Sequence, residues 1–438
     1  MNLLSKLAGL QQQKEILDTL TSREALKCIV NSIYLKSELK KYLEPTIESL
    51  QNLLCNDTSQ ETQFLTCRIL FLMTVNRIDL VKQVMKLDIA KGIEKVLLEN
   101  VSILKDKNSQ PIDQNTLINP ATVSSEALKL LFNLMLVVSR HQEDSLQTST
   151  YFKNCLIPIF YILFEVPYAE PQPMVPPHSQ AIHALMQYPY ETILSVWRSQ
   201  TEWLDSLYKD LEEETDVVAN TFMDMLDKSV HALIPSGNPD EDGHMDHQQI
   251  DATLSPLLLV IRTLAEGSLP LRERWAVRML PSEEDRLQPV NQGHSLSAHL
   301  IKLMTSTMLP QTQAAVCETY FILCDEDANN FTKQVGYGNA IGYLVNKGIP
   351  VELPNDEQQQ ADENINPITG QYISAEDAGP SLADMTDEEK EREAEKLFVL
   401  FERLKKTGVV DVENPITKAK REGKFEHIQD NDHDSDSD

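Results

Sequence analysis

The stretch from residue 125 to 138, SEALKLLFNLMLVV, is apolar on nearly every side of the helix that its composition predicts. A helix of this kind is typical of the middle of a helical stack, because it has no broad polar face to turn to water. Its few polar positions are spaced 3, 4 and 7 residues apart, so they form one narrow stripe. They are Glu126, Lys129, Asn133 and Arg140.

Similar helical patterns recur roughly every 15 to 25 residues up to about residue 346. Turn formers separate them, for example at residues 56–57 and 235–239. Alternating apolar and polar runs bounded by hairpin turns, the signature of strands, are not found. Paired helices at a period of roughly 40 residues are typical of armadillo and HEAT repeats. The sequence therefore predicts an all-α, armadillo/HEAT-type superhelical solenoid over residues 1–350, whose inner helices line a concave groove.

The last fifth of the chain has a different pattern. Residues 351–384 are polar, acidic and rich in Gln, Asn and Pro, which indicates a linker. Thr386 and Glu389 can form a capping box, and an apolar stripe follows, so residues 385–408 are predicted to be an amphipathic helix. The stripe consists of Ala394, Leu397, Phe401 and Leu404. Residues 409–438 are predicted to be an acidic, disordered tail.

The charge of the chain narrows its range of partners. The formal net charge is −28, and residues 351–438 contribute half of it, with 24 Asp and Glu against 10 Lys and Arg. Such a chain binds nucleic acid or anionic lipid poorly, so we expect a partner with a basic surface. The longest apolar run, near residues 156–164, is shorter than the roughly 20 residues that span a bilayer. Without a signal peptide or a CxxC pair, we expect a soluble cytoplasmic protein that does not insert into a membrane.

Motifs for catalysis, a cofactor or a metal are not convincing. Gly336, Gly338 and Gly342 miss the GxGxxG pattern by one residue and do not follow a strand, and we expect them to let a turn approach a neighbouring helix closely. Residues 238–243 resemble the start of a calcium loop, but Gln249 stands where the bidentate Glu is needed. The sequence therefore predicts a non-catalytic protein with no metal and no cofactor.

Isolated polar residues on apolar helices are the better candidates for a binding site. Arg68 stands alone in an apolar segment, and a second polar stripe consists of Gln180, His183 and Gln187. An unpartnered buried charge costs several kcal/mol, so we expect these residues to face the groove, where Arg68 and Lys129 could meet the C-terminal carboxylate of a bound helix or peptide. The alternative is that Arg68 pairs internally with a carboxylate and that Asn133 bonds a neighbouring loop carbonyl.

Several motifs together resemble the synembryn family, the cytosolic chaperones and guanine-nucleotide exchange factors of heterotrimeric G-protein α subunits (Gα). They are SEALKLLFN at residues 125–133, PP at 176–177 followed by AIHAL at 181–185, GYGNAIG at 336–342, NPITG at 366–370 and the MTDEEKEREA helix that starts at 385. The resemblance covers most of residues 20–410.

The resemblance implies a function. Members of the family hold the C-terminal helix of Gα in the groove, which opens the nucleotide site and lets GDP leave. The implied partner is Gα, GDP-bound or nucleotide-free, bound by a monomer that Gα can bring to the cell cortex or plasma membrane. The implied contacts are Arg68, Lys129, Asn133 and His183 in the groove and Tyr337 and Asn339 near its rim. Leu397, Phe401 and Leu404 are expected to dock the terminal helix on the stack, on Gα, or on each in turn. The matched motifs carry Asn133, the GYGNAIG residues and the terminal-helix residues.

The sequence leaves open the phosphorylation sites and an alternative function. Family members can carry acidic-directed phosphorylation sites after the repeats, but residues 351–371 contain no serine, so Ser435 and Ser437 are the candidates here. The alternative function is an armadillo-type adaptor or scaffold that binds a peptide or a small GTPase without exchange activity.

Overall fold

The predicted all-α solenoid is confirmed. The computed structural model describes residues 1–11, 18–106, 116–141, 145–199, 211–240, 245–350, 364–375 and 386. Within these residues the chain forms eighteen α-helices and no β-strand. In chain order they are α1 Asn2–Leu7, α2 Leu20–Leu35, α3 Ile47–Cys55, α4 Gln60–Thr74, α5 Ile78–Lys86, α6 Ile89–Lys105, α7 Pro120–Arg140, α8 Ser145–Tyr151, α9 Leu156–Phe164, α10 His178–Leu185, α11 Tyr190–Ser199, α12 Leu211–Leu233, α13 His247–Gly267, α14 Leu269–Met279, α15 Leu296–Leu303, α16 Pro310–Leu323, α17 Ala328–Val335 and α18 Tyr337–Asn346. Short 3-10 helices cover Ser37–Tyr42, Glu44–Thr46, Lys153–Cys155, Asp285–Leu287 and Ile373–Ala375.

The helices stack in two layers. In one layer α4, α7, α10, α13 and α16 pack successively, each against the next. In the other layer α3 packs on α6, α6 on α9, α9 on α12 and α12 on α14. Contacts between the layers, such as those of α6 with α7 and of α12 with α13, complete the stack. This is the repeating arrangement that a solenoid requires, since each repeat buries its apolar faces mainly against its neighbours.

Helix α7 is the central helix that its sequence predicts. It begins at Pro120, after a capping box in which Asn119 and Thr122 each bond the backbone N–H of the other. It is long and apolar enough to cross a membrane by length and composition, but 72% of that apolar window is buried. Since α7 packs against α4, α6 and α10, its apolar composition is explained by burial within the stack.

A cap that reaches from one helix to another connects α13 to α16. The residue before α16, Leu309, has no side chain that could cap the helix. Asp251 of α13, only 6% exposed, accepts hydrogen bonds instead from the backbone N–H of Gln311 at 3.1 Å and of Thr312 at 2.6 Å. The carboxylate satisfies two free donors at the positive end of α16, so it fixes the register between two repeats.

Part of the predicted linker is folded against the end of the solenoid. Residues 364–375, which we call the C-terminal clasp, turn back on themselves and pair Ile365 with Tyr372. The N–H of Tyr372 donates to the carbonyl of Arg286 at 2.8 Å, and the N–H of Val290 donates to the carbonyl of Thr369 at 3.2 Å. The polar, acidic pattern of these residues gives no sign of this contact. The boundaries of the predicted domains stay predictions, and apart from Thr386 the predicted terminal helix and tail lie outside the described residues.

Candidate functional site

The predicted groove residues lie on three successive helices of one layer. Arg68 is on α4, Lys129 and Asn133 are on α7, and His183 is on α10. Because α4 packs on α7 and α7 on α10, the structure brings these residues into one neighbourhood, which we call the α4–α7–α10 face. Their contact with a partner stays a prediction, and the surroundings of each side chain decide which of them are available for it.

Arg68 and Lys129 share one buried carboxylate. Glu126 Oε1 accepts from Arg68 Nη2 and from Lys129 Nζ, both at 2.8 Å, and Glu126 Oε2 accepts from Arg68 Nε at 3.1 Å. The Glu126 side chain is 4% exposed, whereas those of Arg68 and Lys129 are each 39% exposed. We call these three residues the basic cluster, because two cations and one anion leave a net charge of +1.

The basic cluster keeps donors for an incoming anion. Arg68 has five N–H donors and Lys129 has three, and Glu126 takes only two and one of them. The described residues provide no further hydrogen-bond partner for the others. The guanidinium carbon of Arg68 also lies 4.7 Å from the centre of the Phe64 ring, which helps to hold it in place. The arrangement can bind a carboxylate without leaving Glu126 unpaired.

The internal alternative for Arg68 is present, whereas its contact with the carboxylate of a partner stays a prediction. Arg68 does pair with a carboxylate, yet it remains half-exposed and keeps free donors. The partner, Glu126, lies 58 residues away in sequence and was not identified as part of the site.

Asn133 does not line the face as predicted. It is 7% exposed, and its Nδ2 donates to Thr74 Oγ1 on α4 at 2.9 Å. Thr74 in turn donates to the carbonyl of Leu70 at 2.7 Å. The amide therefore joins α7 to α4, in agreement with the internal alternative, although its partner is a helix hydroxyl and not a loop carbonyl. A buried amide needs such a partner, which leaves it poorly placed for a ligand.

His183 lies at the edge of the face, where it is half-buried. Its ring centre is 5.9 Å from that of Phe132 on α7. Burial lowers the pKa of His183 from its ordinary value of 6.5, so the ring is neutral at pH 7. The ring already hydrogen-bonds the backbone of Ala252, so His183 can offer ring contact to a partner, but it adds no positive charge to the basic cluster.

Apolar side chains that the sequence analysis did not assign to the site complete this face. On α7, Phe132 and Leu136 follow Lys129 at spacings of 3 and 4, so the three residues lie on one side of the helix. Phe71 and Leu72 occupy the corresponding part of α4, and all four apolar residues are partly exposed. The spacing from Lys129 indicates that Phe132 and Leu136 share its side of α7. On an apolar helix, however, the sequence alone does not distinguish a partly exposed apolar residue from a buried one.

The GYGNAIG motif is used for packing. Gly336 ends α17 with a φ of +80°, and α18 begins at Tyr337, whose N–H donates to the carbonyl of Pro367 at 2.8 Å. The two glycine-containing motifs of the sequence, GYGNAIG and NPITG, therefore contact each other. The expected close approach is present at Gly336, but it is made by the clasp turn and not by a helix.

Asn339 is not at a rim. It is 8% exposed, its Nδ2 donates to the carbonyl of Val335 at 2.7 Å, and its Oδ1 accepts from Asn291 Nδ2 at 3.3 Å. The amide is satisfied inside the solenoid, which leaves it poorly placed for a ligand, and the contact of Asn339 with a partner stays a prediction. Tyr337 is half-buried, and its contact with a partner stays a prediction.

Other predicted site residues lie outside the described residues. They are Leu397, Phe401, Leu404, Ser435 and Ser437. Among the residues that the structure does describe, no group of three or more His, Cys, Asp or Glu side chains is arranged to hold a metal ion. In the loop that resembles the start of a calcium site, Asp240 instead accepts from the N–H of Thr307 at 2.8 Å.

An apolar cavity of about 460 Å³ contains none of the predicted site residues in its lining. It is lined by aromatic residues of α9, α11 and α12, among them Phe160, Trp197 and Phe222, and by Glu214, whose pKa burial raises. The segment that joins α11 to α12, residues 200–210, lies outside the described residues, so we assign the cavity no role.

Comparisons with known proteins point to one family. A family model described as "Guanine nucleotide exchange factor synembryn" matches residues 1–424. The Chaperone Ric-8A of Xenopus tropicalis is 26% identical over 437 residues, which cover 93% of this chain and 77% of the relative. A synembryn-like chaperone of Schizosaccharomyces pombe is 30% identical over 187 residues, covering 39% of this chain and 35% of the relative. Among solved structures, a crystal structure titled as an engineered protein is similar with a TM-score of 0.39 and 14% identity, covering 74% of this chain and 97% of that one.

Proposed function

Because the chain belongs to the synembryn family of guanine nucleotide exchange factors, we propose that it is an exchange factor and folding chaperone for the α subunits of heterotrimeric G proteins. In this proposal the α4–α7–α10 face binds the C-terminal helix of Gα. The predicted helix 385–408 contacts the GTPase domain of the same Gα molecule through Leu397, Phe401 and Leu404.

The observation that carries the proposal is the basic cluster beside partly exposed apolar side chains. A groove that accepts an amphipathic helix needs apolar surface for one side of the helix and polar groups for its end. Phe132 and Leu136 supply the apolar surface, and Arg68 and Lys129 supply the polar groups for the helix end. A C-terminal carboxylate can bind Arg68 and Lys129 with charge-assisted hydrogen bonds, while Glu126 keeps the two cations in position.

The proposed mechanism uses binding energy alone. The C-terminal helix of Gα supports the loop over the guanine base, so a protein that draws this helix into its groove weakens the hold on GDP. Tight binding to nucleotide-free Gα favours the release of GDP, and weak binding to GTP-bound Gα lets the protein dissociate once GTP has bound. This difference in affinity is what matters, because a ligand shifts an equilibrium only by its differential affinity for the two states. The same hold on an incompletely folded Gα makes the protein a chaperone, since binding stabilises the state that is bound.

The proposal also covers the oligomeric state of the protein and its location in the cell. We propose that the protein acts as a monomer in the cytoplasm and reaches the cell cortex or plasma membrane through Gα. The basic cluster favours the exchange factor over the second candidate, an adaptor or scaffold without exchange activity, because an extended peptide bound along the groove needs no cation placed to meet a carboxylate.

Release of GDP tests the proposal. Fluorescent GDP bound to purified Gα is mixed with the full-length chain, and its loss is followed with time. We expect the release rate to rise several-fold with intact Gα and to stay at its spontaneous value with Gα that lacks its C-terminal helix. The truncated Gα controls for effects unrelated to the groove.

Two results would argue against the proposal. Unchanged GDP release with intact Gα, despite binding, would support the adaptor. Equal acceleration with intact and truncated Gα would exclude binding of the C-terminal helix as the cause.

A further inference from the structure

Arg262, near the end of α13, has hydrogen-bond donors that no described residue uses. Its Nη1 lies 3.7 Å from Glu318 Oε2 on α16 and its Nη2 lies 3.9 Å from Glu266 Oε2, distances too long for hydrogen bonds. Its Nε is buried without a partner among the described residues. Buried polar groups in folded proteins are nearly always bonded, so a guanidinium with its donors free indicates a site for an acceptor from outside the chain.

The two carboxylates beside Arg262 leave it available to a ligand. Glu318 Oε1 accepts from Lys347 Nζ at 3.0 Å, so the ammonium group compensates the charge of Glu318. Glu266 is 55% exposed, and a long ion pair with so exposed a group is weak. Arg262 is itself 33% exposed, so an external carboxylate can reach it. We call Arg262, Glu318 and Lys347 the distal cluster, because it places two cations around one carboxylate as the basic cluster does.

The distal cluster lies on the same layer of helices as the basic cluster. On α13, four exposed or partly exposed positions share one side of the helix at spacings of 7, 3 and 4, and on α16 three do so at spacings of 3 and 4. They are Ala252, Leu259, Arg262 and Glu266 on α13, and Gln311, Ala314 and Glu318 on α16. His183 of the α4–α7–α10 face bonds the backbone of Ala252, so these positions continue that face along the layer.

The distance between the two clusters is too long for a short ligand. The basic cluster lies on α4 and α7, and Arg262 and Glu318 lie on α13 and α16, three places further along the layer. Packed helices are about 8–10 Å apart, so three places amount to about 24–30 Å. A ligand helix of about 16–20 residues spans this distance.

We propose that the distal cluster binds an acidic side chain of the Gα C-terminal helix, about 16–20 residues before the carboxylate that binds the basic cluster. This inference rests on the proposed function. One helix lying along the layer is then fixed at both ends, by its terminus at the basic cluster and by an acidic side chain at Arg262. The helix dipole favours an acid near the start of a helix, so the partner can carry this group without cost to its own fold. The spacing between the two anions then distinguishes one helix from another.

Peptides of two lengths test the distal cluster. The full-length chain is titrated calorimetrically with synthetic peptides of the last 12 and the last 26 residues of Gα, which span about 18 Å and about 39 Å as helices. We expect Arg262→Gln to weaken binding of the longer peptide about ten-fold, because a charge-assisted hydrogen bond is lost. Binding of the shorter peptide should change less than two-fold, because it reaches only the basic cluster. Lys347→Gln should also weaken the longer peptide, because Glu318 then turns to Arg262.

Arg278→Gln is the matched control. Arg278 lies on α14 in the other layer, is 38% exposed, and its replacement changes the net charge by the same amount. Both peptides should bind this variant as they bind the parent. A 26-residue peptide whose acidic side chains in its first half are replaced by amides should bind the parent and Arg262→Gln equally, because the group that meets Arg262 is missing.

The outcomes separate this inference from the proposed function. If the 12-residue peptide binds the parent but Arg262→Gln and Arg278→Gln bind the 26-residue peptide equally, the distal cluster is overturned and the proposed function stands. Equal weakening of both peptides by Arg262→Gln would show an effect on the groove as a whole and would also overturn the inference. Failure of the 12-residue peptide to bind the parent would count against the proposed function itself.

Discussion

Replacement of Arg68 with alanine is expected to lower the free energy of unfolding by about 2–3 kcal/mol. Glu126 is 4% exposed, and Arg68 makes two of its three charged hydrogen bonds. Removing one partner of a buried ion pair costs about 3–5 kcal/mol, and we take a smaller value because Arg68 is partly exposed and Lys129 remains. Urea-induced unfolding followed by circular dichroism measures the difference, and Arg68→Ala combined with Glu126→Gln should recover at least half of it.

Arg77→Ala is the matched control for this experiment. Arg77 also contacts two carboxylates, those of Glu44 and Asp79, but their side chains are 36% and 60% exposed. Surface ion pairs contribute about 0–1 kcal/mol, so this variant should differ little from the parent. Equal losses for Arg68→Ala and Arg77→Ala would mean that Glu126 is not buried as the structure has it.

Replacement of Asp251 with alanine is expected to cost about 2–4 kcal/mol. The carboxylate is 6% exposed and accepts from two backbone N–H groups at the start of α16, which has no cap of its own. Its loss leaves the buried N–H of Thr312 without a partner, takes the acceptor from the part-buried N–H of Gln311, and removes an anion from the positive end of the helix. Urea-induced unfolding measures the cost, and Asp251→Asn should lose less because the amide oxygen can still accept one bond.

Asp246→Ala provides the comparison for the Asp251 prediction. Asp246 is an exposed residue that caps its own helix α13 by accepting from the N–H of Gln249 at 3.0 Å. Loss of such a local cap costs about 1 kcal/mol. If the two alanine variants lose the same stability, the contact between α13 and α16 is no more than an ordinary cap, and its role in fixing the repeat register is refuted.

The fold was predictable because its signals are local. The apolar residues of α7 and its capping residues Asn119 and Thr122 are close in sequence, and they specify a buried helix with a defined start. The recurrence of such helices indicated a solenoid, because a repeat cannot bury its apolar face alone.

The site was predictable only in part because its contacts are distant in sequence. Arg68 bonds Glu126 and Asn133 bonds Thr74, pairs that are 58 and 59 residues apart. Sequence periodicity gives the face of a helix but not its register against the next helix, so it could not tell the half-exposed Arg68 from the buried Asn133.

The C-terminal clasp was missed for a different reason. Its residues are polar and lack helical or strand periodicity, so the pattern predicts a linker. What holds it is a set of backbone hydrogen bonds, the buried Arg286 and two glycines at close approach, Gly336 and Gly370, none of which creates a periodic signal. Both motifs belong to the set on which the resemblance to a family rests, but only the folded structure shows that they contact each other.

The central claim is that the basic cluster binds the C-terminal carboxylate of Gα. Its most direct test is titration of the full-length chain with a synthetic peptide of the Gα C terminus, carrying either a free or an amidated end. The variant Arg68→Gln, Glu126→Gln, Lys129→Gln removes the charge without leaving a buried anion unpaired. We predict that the free-acid peptide binds this variant about 10- to 100-fold more weakly than the parent, and that the amidated peptide binds both proteins similarly. Equal affinity of the free-acid peptide for the parent and the variant would contradict the claim.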